Sequence, residues 1–469
     1  MRNFGLLMAA TALSTATPAL ADEASLQTEV AQLRAQLAAQ NQLIAAQSAR
    51  LDQLEAEVKA DRNLAIHQPP APPASPAAAV AVTATAGEGG GAESDSSPSD
   101  TARLAVANPA EPDTKIGGYG EISYNAYTHD GSRNQADLKR FVLFFGHRFN
   151  DKLSFNSEVE VEHAIASSSD EGEVEIEQAY LNYAFNQSLN VKAGLFLMPF
   201  GLLNRDHEPP VFYGVERNEV ETRIIPTTWR EGGIGLWGDT TFGLSYDIGV
   251  TTGFDVAKFD DAGSPLAAAH QELQLAKAAS LSFYGALEYK GIPGLLIGGA
   301  VFHGGALHKN ANFKNDGSLP DFSGINSTVT LWDIHGRWQH KGFDVQALYA
   351  RGRYSNAGKL DTVLLAYNSA NGTDRPLAPS AFYGWLVQGA YSFPLGGEVT
   401  LDPFVRYEKF DTQASLPLDL IADPANRDRV LTTGFSFHPL REVVIKVDYQ
   451  KFLENSGNDR VNFGIGYMF

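Results

Sequence analysis

The chain has 469 residues, no cysteine, 43% hydrophobic residues and a formal net charge of −19 at pH 7. No apolar run is long enough for a spanning helix, so a helical membrane protein is excluded, and the acidic balance argues against nucleic acid as a partner. An exported form would need no disulfide framework.

Residues 1–21 read as a secretory signal peptide. Arg2 precedes a short apolar core through Leu6, Leu7, Met8 and Leu13, and Ala19-Leu20-Ala21 offers the small-residue cleavage site. Residues 22–64 predict an α-helical coiled coil, with Val30, Leu37, Ile44, Leu51 and Val58 at heptad position a and Leu26, Leu33, Gln40, Gln47 and Leu54 at d. The two glutamines weaken the seam while fixing register, so strand number stays open, and a solitary frayed helix is the blander alternative. Residues 65–114 hold Pro69-Pro70-Ala71-Pro72-Pro73, Gly89-Gly90-Gly91 and a Ser/Asp run. Too few large apolar side chains are present to offset the entropy of ordering, which predicts a disordered, flexible linker.

From Lys115 onward, sixteen short segments of alternating hydrophobicity follow one another. In the last, Val461, Phe463, Ile465, Tyr467 and Phe469 share one face, and Asn462, Gly464, Gly466 and Met468 the other. Short turns such as Asn150-Asp151-Lys152, Gln187-Ser188 and Lys341-Gly342 alternate with long polar loops. Segregation of loops by length, an even strand count and a terminal aromatic predict an all-β fold, a 16-stranded antiparallel transmembrane β-barrel over 115–469 with both termini periplasmic. Pro403 inside a strand calls for a bulge or a place near the rim.

Strand parity assigns the lumen. Leu153, Phe155, Val159 and Val161 suit lipid, which turns Glu158, Glu160 and Glu162 inward; charges on the lipid face would cost several kcal/mol. The same rule places Arg140, Arg148, Arg337 and Arg406 on the pore wall, opposite those acids. A polar, doubly charged interior cannot make a dry core, so the lumen should be wet. The longest connection, 199–228, is the third outer loop. Its apolar Leu203, Val211, Phe212, Val215, Ile224 and Ile225 predict that it folds inward and narrows the pore, presenting Arg205, Asp206, Glu208, Glu216, Arg217, Glu219, Glu221 and Arg223 with His207 between them.

Several short motifs carry a family resemblance. They are Gly118-Tyr119-Gly120-Glu121, Leu138-Lys139-Arg140-Phe141, Glu177-Gln178-Ala179-Tyr180-Leu181-Asn182-Tyr183, Gly194-Leu195-Phe196-Leu197-Met198-Pro199-Phe200-Gly201 and Arg230-Glu231-Gly232-Gly233. Residues 115–469 resemble the phosphate-selective porin O and P family of Gram-negative outer-membrane porins. The resemblance implies a homotrimer in outer-membrane lipid, phosphate or other anions among the permeants, and a terminal strand that serves as assembly signal. On the residues alone, acids outnumber bases in loop three and in the barrel, and opposed charges across a constriction suggest passage of small polar solutes with weak ion preference.

The expected function is therefore passive diffusion of small hydrophilic solutes and ions. The rival is an envelope tether in which residues 26–58, in the periplasm, hold the barrel to a peptidoglycan or other periplasmic partner. No catalytic spacing, cofactor motif or metal-binding helix stands out, so neither enzyme nor cofactor is expected. Calcium at tips such as His129-Asp130-Gly131 or Asn315-Asp316-Gly317 is a weaker reading than simple hairpin turns.

Overall fold

A computed structural model describes residues 113–167, 170–308 and 320–469. The signal peptide, coiled coil and nearly all of the linker lie outside the described residues. The first strand already includes Thr114, assigned above to the linker.

The strand segments are β1 (Thr114–Tyr127), β2 (Gln135–Arg148), β3 (Leu153–Glu162), β4 (Val174–Asn186), β5 (Leu189–Leu197), β6 (Arg230–Asp239), β7 (Leu244–Thr251) and β8 (Ser282–Ile292). There follow β9 (Leu295–Gly305), β10 (Thr328–His340), β11 (Phe343–Tyr354), β12 (Ala381–Tyr391), β13 (Phe393–Gly396), β14 (Val399–Ser415), β15 (Arg427–Leu440), β16 (Val443–Phe452) and β17 (Arg460–Met468). Neighbours in sequence pair antiparallel all the way round, and β1 pairs with β17, so the sheet closes. β12 and β13 both pair with β14 and form one stave interrupted at Ser392, giving a closed 16-stranded barrel. The interruption answers the proline. Ala390 pairs with Phe404 and Phe393 with Leu401, so the broken stretch lies opposite Asp402 and Pro403, where proline can offer no ladder N–H. No helix among the described residues is long and apolar enough to cross a membrane; the crossing is made by strands.

Burial along the strands is inverted relative to a water-soluble protein. Ile122, Leu143, Leu181, Ile234, Phe283 and Ile465 are exposed, whereas Glu121, Arg140, Glu160, Asp247, Asp333, Arg406, Glu408 and Asn462 are buried. An apolar outside and a charged inside follow from the period of two once one face must meet lipid.

The long connections depart from the expectation of polar loops. Phe254, Val256, Phe259 and Leu266 between β7 and β8, Phe322 before β10, and Leu360 and Leu364 on helix α1 (Ala357–Asn371) are fully buried. They form one apolar cluster with Met198, Phe200, Ile224, Ile225 and Trp229. That cluster seats both ends of the third loop, because burying a large apolar side chain contributes roughly 1.5–3 kcal/mol.

Candidate functional site

Residues 198–229 run against the inward face of the wall. Asn204 joins the loop's entry to its exit: its amide donates to the carbonyls of Met198 and Trp229, both at 2.8 Å, and its Oδ1 accepts from Trp229 N at 2.7 Å. Glu221 ties the middle together, Oε1 accepting from the N–H groups of Leu202 (2.6 Å) and Leu203 (2.7 Å), and Oε2 from Asn218 Nδ2 (2.6 Å). Gly201 makes this approach feasible. Its φ is +65°, and a Cβ there would stand 2.1 Å from Glu221 Oε1.

The far part of the loop docks on the opposite arc. Val215 N donates to Asp448 Oδ2 at 2.6 Å and Glu219 N to Glu408 Oε2 at 2.7 Å. Phe212 lies under Lys446, whose Nζ is 3.5 Å from the ring centroid. Glycines on the wall make room: a Cβ at Gly466 would lie 2.2 Å from Pro209 Cβ, and one at Gly464 would lie 3.0 Å from Val215 Cγ1.

Most wall charges are paired with near neighbours and do not form a basic stripe facing an acidic wall. Arg140 Nε donates to Glu121 at 2.8 Å and Nη1 lies 3.9 Å from Glu160. Arg337 binds Asp344 (2.6 Å), Arg406 binds Glu408 (3.0 Å), and Lys192 binds Asp247 (2.6 Å). Arg148 sits apart from the loop, at the short-turn end, where it meets Asp113 at 3.0 Å. Glu162 ends β3 half-buried, across from Arg140 in register. Glu158 accepts from Gln178 at 2.8 Å.

Within the loop, Arg205 binds the wall carboxylate Glu288. Glu216 accepts from Lys139 (2.6 Å) and Asn125 (2.8 Å); burial works to raise its pKa, yet Lys139 and Arg460 hold it down to about 2. Arg223 donates to Glu219 at 2.5 Å and lies over the Phe410 ring. Arg217 donates from Nη1 to Thr228 Oγ1 at 2.9 Å; burial and the neighbouring Arg140 lower its pKa to about 10. Glu208 is buried beside Asp206, and that burial, then the adjacent charge, pushes its pKa up to about 8. Asp206 and Glu208 border a cleft of about 120 Å³ between the loop and the wall, lined also by Lys192, Arg205, Asp247, Glu288 and Lys290. At the tip, Asp130 Oδ1 accepts from Ser132 N (3.1 Å) and Oγ (2.6 Å), the arrangement of a hairpin turn.

Two inward charges lie where strand parity slips by one residue, each in a β-bulge. On β2, Arg140 faces Glu121 and Leu138 faces Ile122, leaving Lys139 as the extra residue; on β4, Gln178 faces Glu158 and Ile176 faces Val159, leaving Glu177. Lys139 thereby reaches Glu216, and Glu177 is fully buried beside His207 and Tyr119. In β4 the bulge leaves a mark in the alternation, because the outward apolar residues change phase from Val174 and Ile176 to Leu181 and Tyr183.

A closed antiparallel barrel that is apolar outside and charged inside, with a long loop laid within it, defines a channel-forming barrel of the outer membrane. The family model described as phosphate-selective porin O and P matches residues 117–229. The chain is 34% identical over 360 residues to an uncharacterized protein of Aquifex aeolicus, covering 76% of this chain and 79% of that one. It belongs to the phosphate-selective porin O and P family. Among solved structures, OmpF of Salmonella typhi in complex with daunomycin matches with a TM-score of 0.51 at 14% identity, over 76% of this chain and 97% of that one, a likeness of fold.

Proposed function

We propose that the barrel gives passive diffusion to small hydrophilic solutes and ions, which pass between the third loop and the wall. The observation that carries this reading is the loop itself: residues 198–229 lie against the inward face, leaving beside Asp206 and Glu208 a cleft lined by both signs of charge. A path of this kind selects by size and dipole, since fixed charges of either sign meet the solute at short range. An anion contribution is supported by Arg217 Nε and Nη2 and Lys446 Nζ, buried donors with no acceptor among the described residues. A homotrimer in outer-membrane lipid belongs to the same reading.

Planar-bilayer recording of the purified full chain tests it. The expected result is an open, ohmic conductance, with a reversal potential in a salt gradient well short of the Nernst limit for either ion. A closed bilayer, or ideal selectivity, would overturn the proposal.

A further inference from the structure

We propose that Glu158, Glu177 and His207 form a binding site for a divalent transition-metal cation inside the barrel. The site is assembled from three parts of the chain: Glu158 from β3, Glu177 from the bulge in β4, and His207 from the third loop. One ligand atom from each lies within 4.8 Å of the others, and Glu177 Oε1 stands 3.7 Å from His207 Nε2. Two ligands on one metal at about 2.1 Å would lie a little closer than that, so small side-chain rotations suffice to close the set.

The imidazole is already oriented for the task. His207 Nδ1 lies 3.2 Å from the carbonyl of Asn204, to which it donates, so Nε2 carries the lone pair and points at the carboxylates. Tyr119 Oη, 2.8 Å away, donates to that lone pair; on metal binding it can turn to Glu177 Oε2, now at 3.4 Å.

Independent of the cluster's acidity, Glu177 Oε1 is fully buried and accepts no hydrogen bond among the described residues. An ionised oxygen in that condition is costly unless a cation or proton meets it. Two guanidiniums stand nearby, and neither donates to Glu177 Oε1: Arg140 is held by Glu121 and Glu160, and Arg217, whose Nη1 binds Thr228, acts on Glu177 only through space. A proton shared among carboxylates could neutralise them in part; a metal differs in engaging Nε2 as well, once Tyr119 Oη has turned to Glu177. One imidazole nitrogen with two carboxylates suits Zn²⁺ and its first-row neighbours; Mg²⁺ prefers an all-oxygen, largely hydrated shell.

The test is Zn²⁺ binding to the purified, detergent-folded full chain, measured by calorimetry and by metal retained after desalting, with Mg²⁺ in parallel. The expected result is one Zn²⁺ per barrel, bound at least ~10-fold more weakly by His207→Ala and by Glu177→Gln, with Mg²⁺ failing to compete. Heat-modifiable gel migration confirms that the variants are folded, and Glu158→Gln replaces any that is not. No retained Zn²⁺, equal binding by wild type and variants, or equal affinity for Mg²⁺ would overturn the proposal. Metal content is read without passing current, so this outcome is separate from that of the conductance test.

Discussion

Glu208 shows what a single side chain can do in this lumen. Buried next to Asp206, its carboxyl has a pKa pushed up to about 8 and is neutral at pH 7. An acid with a raised pKa gains its charge only as pH climbs through that value, so the loop acquires one more negative charge between pH 7 and pH 9. Preference for cations, read as reversal potential in a salt gradient, should therefore rise over that interval. Glu208→Gln should remove that component while leaving the pH 7 value nearly unchanged; identical pH profiles for the two proteins would show that Glu208 does not face the conducting path. Lys139 and Glu177 show the limit of reading residues by alternation. Parity turned Arg140, Glu160 and Arg406 away from lipid, and all three are buried, because steric period and lipid demand agree there. At a bulge the pairing slips by one residue, so one phase of alternation cannot be carried through the whole strand; in β4 the outward apolar residues shift from Val174 and Ile176 to Leu181 and Tyr183.

At the scale of the element, the third loop is held by two devices, and each can be released separately. Glu221 gathers backbone N–H groups of Leu202 and Leu203 and the amide of Asn218. Glu221→Ala leaves buried donors unpaired, at a cost of about 1–3 kcal/mol per group, and should loosen the loop without touching the sheet. Single-channel records should show greater open-channel noise. The second device is steric. Gly466→Val would drive a side chain into Pro209, 2.2 Å from the new Cβ, and overpacking of this kind costs about 1–3 kcal/mol. Since β17 can keep its ladder, the loop should yield, and conductance should increase in barrels that still migrate as folded; an unchanged conductance would mean that the loop does not limit the path. The burial of Val215, Ile224 and Ile225 was legible, since their exposure on an outer tip would be unfavourable. The loop's anchoring was not, because Phe254, Phe259, Phe322 and Leu360 come from separate connections and meet only in three dimensions.

For the whole molecule, closure is the decisive event, since a sheet in lipid cannot leave an unpaired edge. The seam is β1 against β17, and its last link joins Phe469 to Gly118: Phe469 N donates to the Gly118 carbonyl at 2.9 Å, and Gly118 N to the Phe469 carbonyl at 3.0 Å. The Phe469 ring lies over Gly118, where an added Cβ would be 3.0 Å from Cζ, and is otherwise exposed at the short-turn end. Deleting Phe469 removes both hydrogen bonds and the aromatic anchor, whereas Phe469→Ala removes only the anchor. If closure depends on backbone pairing, the deletion should lower the yield of heat-modifiable, membrane-inserted barrel well below that of Phe469→Ala; if the ring is what matters, the two should fall together. In either case the residue is far from the third loop, so the barrels that do assemble should conduct as wild type. Normal assembly of the truncated chain would show that pairing from Met468 inward closes the seam unaided.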